Sequence, residues 1–146
     1  HVWSAIGATA PPTYDNAGHN NNLSFIVTGE GVVVVNSGAS YGLAQALHDE
    51  IKAVTDQPVV LVINENGQGH AMLGNGYWAE QGVEILAHAD AAEAFAEDGD
   101  FSMQSAWGVQ REQSDGTTVV PPSRTFDARE EITLGLAAGR KTGDRR

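Results

Sequence analysis

The sequence predicts an α/β domain in which helices are layered on a sheet, and three observations carry that expectation. Runs that read as strand, helix, strand, short helix and strand follow one another between Val32 and Ala87. Two of the strand runs, Val32–Val35 and residues 59–63, are unbroken apolar stretches, the pattern of strands covered on both faces. The chain has 146 residues, 41% of them hydrophobic, enough to bury a core of its own.

Taken in order, residues 2–8 read as a weak strand, broken by Pro11 and Pro12. Residues 13–22 read as loop, because Asp15, Asn16, Gly18, His19 and the Asn residues at 20, 21 and 22 favour turns. Leu23–Val27 and Val32–Val35 flank Thr28, Gly29, Glu30 and Gly31, which predicts a hairpin. Asn36, Ser37 and Gly38 leave the sheet, and Ser40 is placed to cap a helix whose apolar stripe is Leu43, Ala44, Leu47, Ile51 and Val54. His48 lies at the edge of that stripe, and Pro58 closes the helical region.

Residues 59–63 form the next strand, followed by a polar loop over 64–69 and one short helix through Met72, Leu73, Tyr77 and Trp78. Residues 83–87 are a further strand. The alanine-rich stretch 89–96 is helical and extends towards Trp107, and late strands are expected at 117–120 and 131–134, around Pro121 and Pro122. Trp3, Tyr77, Trp78, Phe95, Phe101 and Trp107 are expected to pack in the interior. Functional loops of such sheets lie beyond the carboxyl ends of strands, so the loop after Ile63 is the first place to look for chemistry.

Composition narrows the function classes. The net charge is −11; residues 1–123 hold two basic side chains, Lys52 and Arg111, against fifteen acidic ones, a balance of −13. Such a body repels phosphate backbones, so neither nucleic acid nor an anionic membrane is an expected partner. No apolar run reaches the roughly 18 residues that cross a bilayer, and no secretory leader is visible at His1, so a soluble chain of unknown compartment is expected. The absence of cysteine removes disulfides and thiolate metal sites. Residues 137–146 carry four basic side chains against Asp144 and read as a flexible basic tail after a domain spanning 1–136. There is no Gly-x-Ser-x-Gly elbow, phosphate loop or dinucleotide fingerprint.

From Val62 the chain runs Val62, Ile63, Asn64, Glu65, Asn66, Gly67, Gln68, Gly69, His70, Ala71, Met72, Leu73, Gly74, Asn75. With the hairpin, the Asn36, Ser37, Gly38 strand end, the Glu84, Ile85, Leu86, Ala87, His88 strand and the stretch Pro122 to Asp127, this resembles the metallo-β-lactamase superfamily over most of residues 20–136. The resemblance implies an αββα sandwich, here limited to roughly its first half, and a hydrolase-like ancestry using zinc or iron. It also implies a His-x-His-x-Asp-His loop, in which alternate histidines converge on one ion and the Asp-His pair serves a second ion or the attacking water. Matching flanks put those four positions on Asn66, Gln68, His70 and Ala71, and none keeps its ligand. The stretch after Leu134, Gly135 to Lys141, also departs from the family's Gly-Pro-x-His-Thr-like segment. A standard dinuclear site is therefore not expected from this chain alone.

Three readings of the 64–71 loop stay open. It is a structural relic, with Gly67 and Gly69 kept for backbone shape; or it holds a single zinc or other divalent ion through Glu65, Gln68 and His70, with His19 near; or it binds a small polar or anionic ligand without metal. Glu65, Asn66, Gln68, His70, His19 and His88 form the candidate pocket. The corresponding functions are a metallo-β-lactamase-like domain without standard hydrolase activity, a non-standard single-ion hydrolase completed in a dimer, and a non-catalytic binding or interaction module; whether the chain is an enzyme stays open. A half-sandwich leaves a sheet face open, so self-association as a C2 homodimer is expected.

Overall fold

The computed structural model describes residues 1–135. The basic segment 137–146 and the domain boundary at residue 136 lie outside the described residues.

Six strands form one sheet in chain order: β1 (Val2–Ala5), β2 (Leu23–Val27), β3 (Val32–Val35), β4 (Val59–Asn64), β5 (Glu84–His88) and β6 (Arg124–Phe126). The first three are antiparallel neighbours, and β3 to β6 run parallel. The β2–β3 hairpin closes as expected. The Thr28 amide and hydroxyl both donate to the Gly31 carbonyl, at 2.9 and 2.7 Å, and Gly31 takes a φ of 145°, open to glycine.

Parallel neighbours need a crossover, and α1 (Tyr41–Val54) supplies it between β3 and β4. Ser40 caps it, its hydroxyl accepting the Leu43 amide at 3.1 Å. Ala44, Leu47 and Ile51 bury its apolar stripe, whereas Val54, the last residue of the helix, is exposed. The single short helix expected after β4 is two, α2 (Gly69–Met72) and α3 (Asn75–Glu80). The break falls at Gly74, where a Cβ would stand 2.2 Å from the Ser37 carbonyl oxygen, so the backbone is pinned there to the exit of β3. The alanine-rich helix, α4 (Ala89–Gln110), runs on through Trp107 and ends in a 3-10 turn at Arg111–Ser114.

Two strand expectations are corrected. Residues 117–120 and 131–134 have no regular secondary structure and belong to no ladder, and the sixth strand is Arg124–Phe126. The β-branched residues at 118–120 are used for packing instead: Val119 lies against Gly99 of α4 and Thr118 against Gly76 of α3.

Side-chain alternation along the strands divides the core. One sheet face carries Leu23, Phe25, Val32, Val34, Val62 and Ile85 against α1 and α3, with Trp78 fully buried among them. The opposite face carries Val33, Leu61 and Leu86, flanked by half-buried Ile26, Val60, Ile63 and Phe126. Among the described residues that second face has no helix; its apolar cover includes Leu134 from the chain after β6. A third cluster, Ala71, Met72, Leu73, Ala87 and Phe95, seats α2 against α4 and β5. Phe101 and Trp107 depart from the expected packing role: they are 73% and 49% exposed on α4.

Candidate functional site

The carboxyl ends of β3 and β4 deliver Asn36 and Asn64 to one spot, and both are buried. Asn36 takes a left-handed φ of 67°, donates its amide to the Ile63 carbonyl at 2.7 Å, and accepts the Glu65 amide on Oδ1 at 3.0 Å. The carbonyl of Ala71 is the hub of the loop. It accepts the Ser37 amide at 3.0 Å, the Ser37 hydroxyl at 2.8 Å and Asn64 Nδ2 at 2.8 Å. Asn64 and Asn75 then pair through both amide ends, at 3.0 and 3.1 Å, and Asn75 Nδ2 also donates to the Val120 carbonyl at 3.1 Å. Buried polar groups are tolerated when fully paired. Here they tie β3, β4, α2, α3 and the 117–120 segment into one brace.

The candidate residues of the loop hang outside that brace. Glu65 and Gln68 are exposed, and Asn66 and His70 are half-buried. Asn66 Oδ1 accepts the Gln68 amide at 2.9 Å, which turns Nδ2 towards His70 Nε2 at a long 3.4 Å. Gly67 is required because a Cβ there would lie 2.4 Å from the Ala91 carbonyl oxygen. The structure therefore brings Asn66 and His70 together, with Glu65 close enough for its charge to act on the imidazole.

Burial lowers the His70 pKa from 6.5, with Glu65 opposing, and burial likewise lowers that of His48, which meets the Tyr77 hydroxyl at 2.7 Å. Both rings are neutral at physiological pH. The unfolded chain takes up protons on them first as the pH falls, so their contribution to stability is complete above about 6.5 and shrinks below it. The melting temperature is expected to fall between about pH 7 and about pH 5, and a His48→Gln, His70→Gln double variant should flatten that part of the profile. A wild-type profile parallel to that of the double variant would contradict this.

The two other candidate histidines, His88 and His19, make no hydrogen bond to His70 among the described residues. His88 caps α4: its Nδ1 accepts the Asp90 amide at 3.1 Å while its Nε2 donates to the Asp127 carbonyl, and its ring stands edge-on to Phe126. Its role is to fasten β5 to the segment after β6. His19 holds a turn through its backbone, donating to the Asn16 carbonyl at 2.8 Å and accepting from the Ala8 amide at 2.9 Å. Its Nε2 is buried without a partner among the described residues.

A feature that sequence reading missed lies beside His70. A cleft of about 260 Å³ opens between α2, the 12–20 loop and α4, its far wall made by Phe101, Ser102, Ser105, Ala106 and Val109. The signal was present: Phe101, Ser105 and Val109 repeat at four-residue spacing and share one helix face.

No protein-family model matches the chain, and no curated protein matches it by sequence. Solved structures do match. A metallo-β-lactamase from Pontibacter korlensis superposes with a TM-score of 0.62 at 19% identity, over 79% of this chain and 45% of its own. One from Hirschia baltica gives 0.60 at 17% identity, over 88% and 49%. The mono-zinc form of FIM-1 from Pseudomonas aeruginosa gives 0.55 at 13%, over 72% and 38%. The chain has the metallo-β-lactamase fold. It spans between 38% and 49% of the length of these metallo-β-lactamases.

On this metallo-β-lactamase scaffold the described residues at the motif positions do not offer the family's zinc ligand set. Of the four positions that the family motif would occupy, Ala71 offers a methyl group sealed in the core, and Gln68 and Asn66 offer neutral amides, weak zinc ligands beside imidazole. Asn66 Oδ1 is already engaged with the backbone. Among the described residues no group of three His, Cys, Asp or Glu side chains is placed to hold an ion. Nor, among them, is any helix long and apolar enough to cross a membrane.

Proposed function

We propose that this chain is a non-hydrolytic metallo-β-lactamase-like domain, in which the loop that would hold metal serves as a structural brace and the open sheet face serves for association. The observation that carries the reading is the Ala71 carbonyl: three protein donors converge on the residue where the family motif expects its last histidine. A loop fixed in this way needs no ion to hold its shape. The single-ion reading through Glu65, Gln68 and His70 has less support, since two of the three side chains point into solvent and the third leans on Asn66.

Metal analysis of protein purified without chelator tests this. Zinc, iron and manganese are expected well below one per chain, with the same unfolding midpoint after chelator treatment. Stoichiometric metal that disappears in His70→Ala would instead support the single-ion hydrolase.

The partner we propose is a second copy. Half-buried Ile26, Ile63 and Phe126 give the second sheet face an apolar surface that, among the described residues, the chain after β6 covers only in part. A twofold pairing of two such faces is the default closed arrangement. Sedimentation at micromolar concentration should show a dimer, and Ile26→Lys, which places a charge on that face, should shift it to monomer. A wild-type monomer throughout would refute the pairing.

A further inference from the structure

We propose that the cleft beside His70 binds a neutral, mostly apolar small molecule carrying a carbonyl oxygen, which accepts the Nδ1–H of the His70 ring. Three observations on the cleft lead there. The first is size: about 260 Å³ sits just under the roughly 300–1,000 Å³ of pockets that hold organic ligands, room for a molecule of one or two rings. The second is what lines it. Apart from His70, none of its side chains can carry a charge: the walls are apolar or bear the hydroxyls of Ser102 and Ser105 and the amides of Asn20 and Gln110. A charged ligand of either sign would be desolvated there without a counter-ion, and the Glu65 charge that acts on His70 disfavours an anion beside that ring. Phe101 and Val109, 73% and 44% exposed, are cleft-lining apolar side chains still in water, and a bound ring would cover them.

The third is the donor that the His70 ring offers beside the cleft. Asn66 Oδ1 is committed to the Gln68 amide, so Asn66 presents its NH₂ to His70 Nε2, which must accept. In a neutral imidazole the proton then sits on Nδ1, and among the described residues no acceptor takes it. In a largely apolar slot that donor favours a molecule with a matching acceptor, since a ligand lacking it leaves the donor unpaired, while the Ser102, Ser105, Asn20 and Gln110 side chains admit a few further neutral polar groups. This goes beyond the loop's proposed role as a brace. It also rests on His70 being free of metal, because an ion on the imidazole would displace this hydrogen-bonding arrangement.

The probe for the test is prodan, a neutral naphthalene ketone whose emission shifts to the blue out of water. Titration in the presence of chelator is expected to show one saturable site per chain. Ser105→Trp, an exposed position on the cleft wall, should abolish it by filling the space while leaving the melting temperature intact. His70→Leu should weaken prodan about five-fold, the loss of one hydrogen bond, while 2-dimethylaminonaphthalene, which has no carbonyl, should bind both proteins alike. Naphthoate, the anionic analogue, should bind more weakly than prodan to wild type.

Absence of binding overturns the proposal, as does binding that survives Ser105→Trp, which would place the probe on the open sheet face. Equal loss of the two naphthalenes in His70→Leu would remove the directional role of the imidazole. Binding that appears only when zinc is added would overturn the metal-free reading of the loop as well, and so separates the two failures.

Discussion

Replacing Gly74 with alanine should destabilise the chain by about 3 kcal/mol, the upper end for overpacking a rigid site. A Cβ at this position would lie 2.2 Å from the Ser37 carbonyl oxygen, 2.7 Å from the Ser37 carbonyl carbon and 3.0 Å from Ala44 Cβ. Two of these are backbone atoms, with no flexible end to swing away. Relief would have to come from parting the α2–α3 junction from the exit of β3, which also stretches the 2.8 Å bond from the Gly74 amide to the Gly38 carbonyl. Ser37 donates twice to Ala71, so the same movement loosens the candidate site. Urea denaturation of Gly74→Ala beside Gly108→Ala checks this. Gly108 has nothing within 4 Å of a built Cβ and lies in α4, so its substitution should be neutral or stabilising by up to about 1 kcal/mol. Equal midpoints for the two variants would contradict the close approach.

The second large effect is expected at the paired amides. Asn75→Ala removes the donor to Asn64 Oδ1 and to the Val120 carbonyl and the acceptor of Asn64 Nδ2, which keeps only the Ala71 carbonyl. Each buried group left without a partner costs about 1–3 kcal/mol, so a loss of about 2–5 kcal/mol follows. Asn64→Ala should cost a similar amount. The double variant should cost less than their sum, because removing both amides leaves fewer orphaned groups. Asn66→Ala, outside the brace, should cost less than about 1 kcal/mol. If Asn66→Ala were the more damaging change, the loop would be held by its exposed side and not by the buried amides.

The layered α/β order was legible because apolar runs and turn residues act locally: the hairpin, Ser40 as a cap and the strands after it follow from short stretches of chain. What was not legible depends on distant partners. Thr117 to Val120 read as a strand by residue type, but the neighbours those residues meet are glycines of α3 and α4, which no local pattern announces. The short helix divides at Gly74 because of Ser37, which lies 37 positions earlier in the sequence.

The candidate site was half legible. The replaced ligand positions could be read directly from Asn66, Gln68, His70 and Ala71. The buried pair of Asn64 and Asn75 could not, since an asparagine at a strand end reads as a turn former until its partner is known. Phe101 was assigned to the interior on residue type alone, and the helix face it shares with Ser105 and Val109 was the overlooked signal.

The most direct test of the brace is a crystal grown with excess zinc and measured at the zinc absorption edge. The expected map has no anomalous peak within ligand distance of Glu65, Gln68 or His70, and shows the Ala71 carbonyl still holding its three donors. A strong peak bridging His70 to either neighbour would show that the loop binds metal after all.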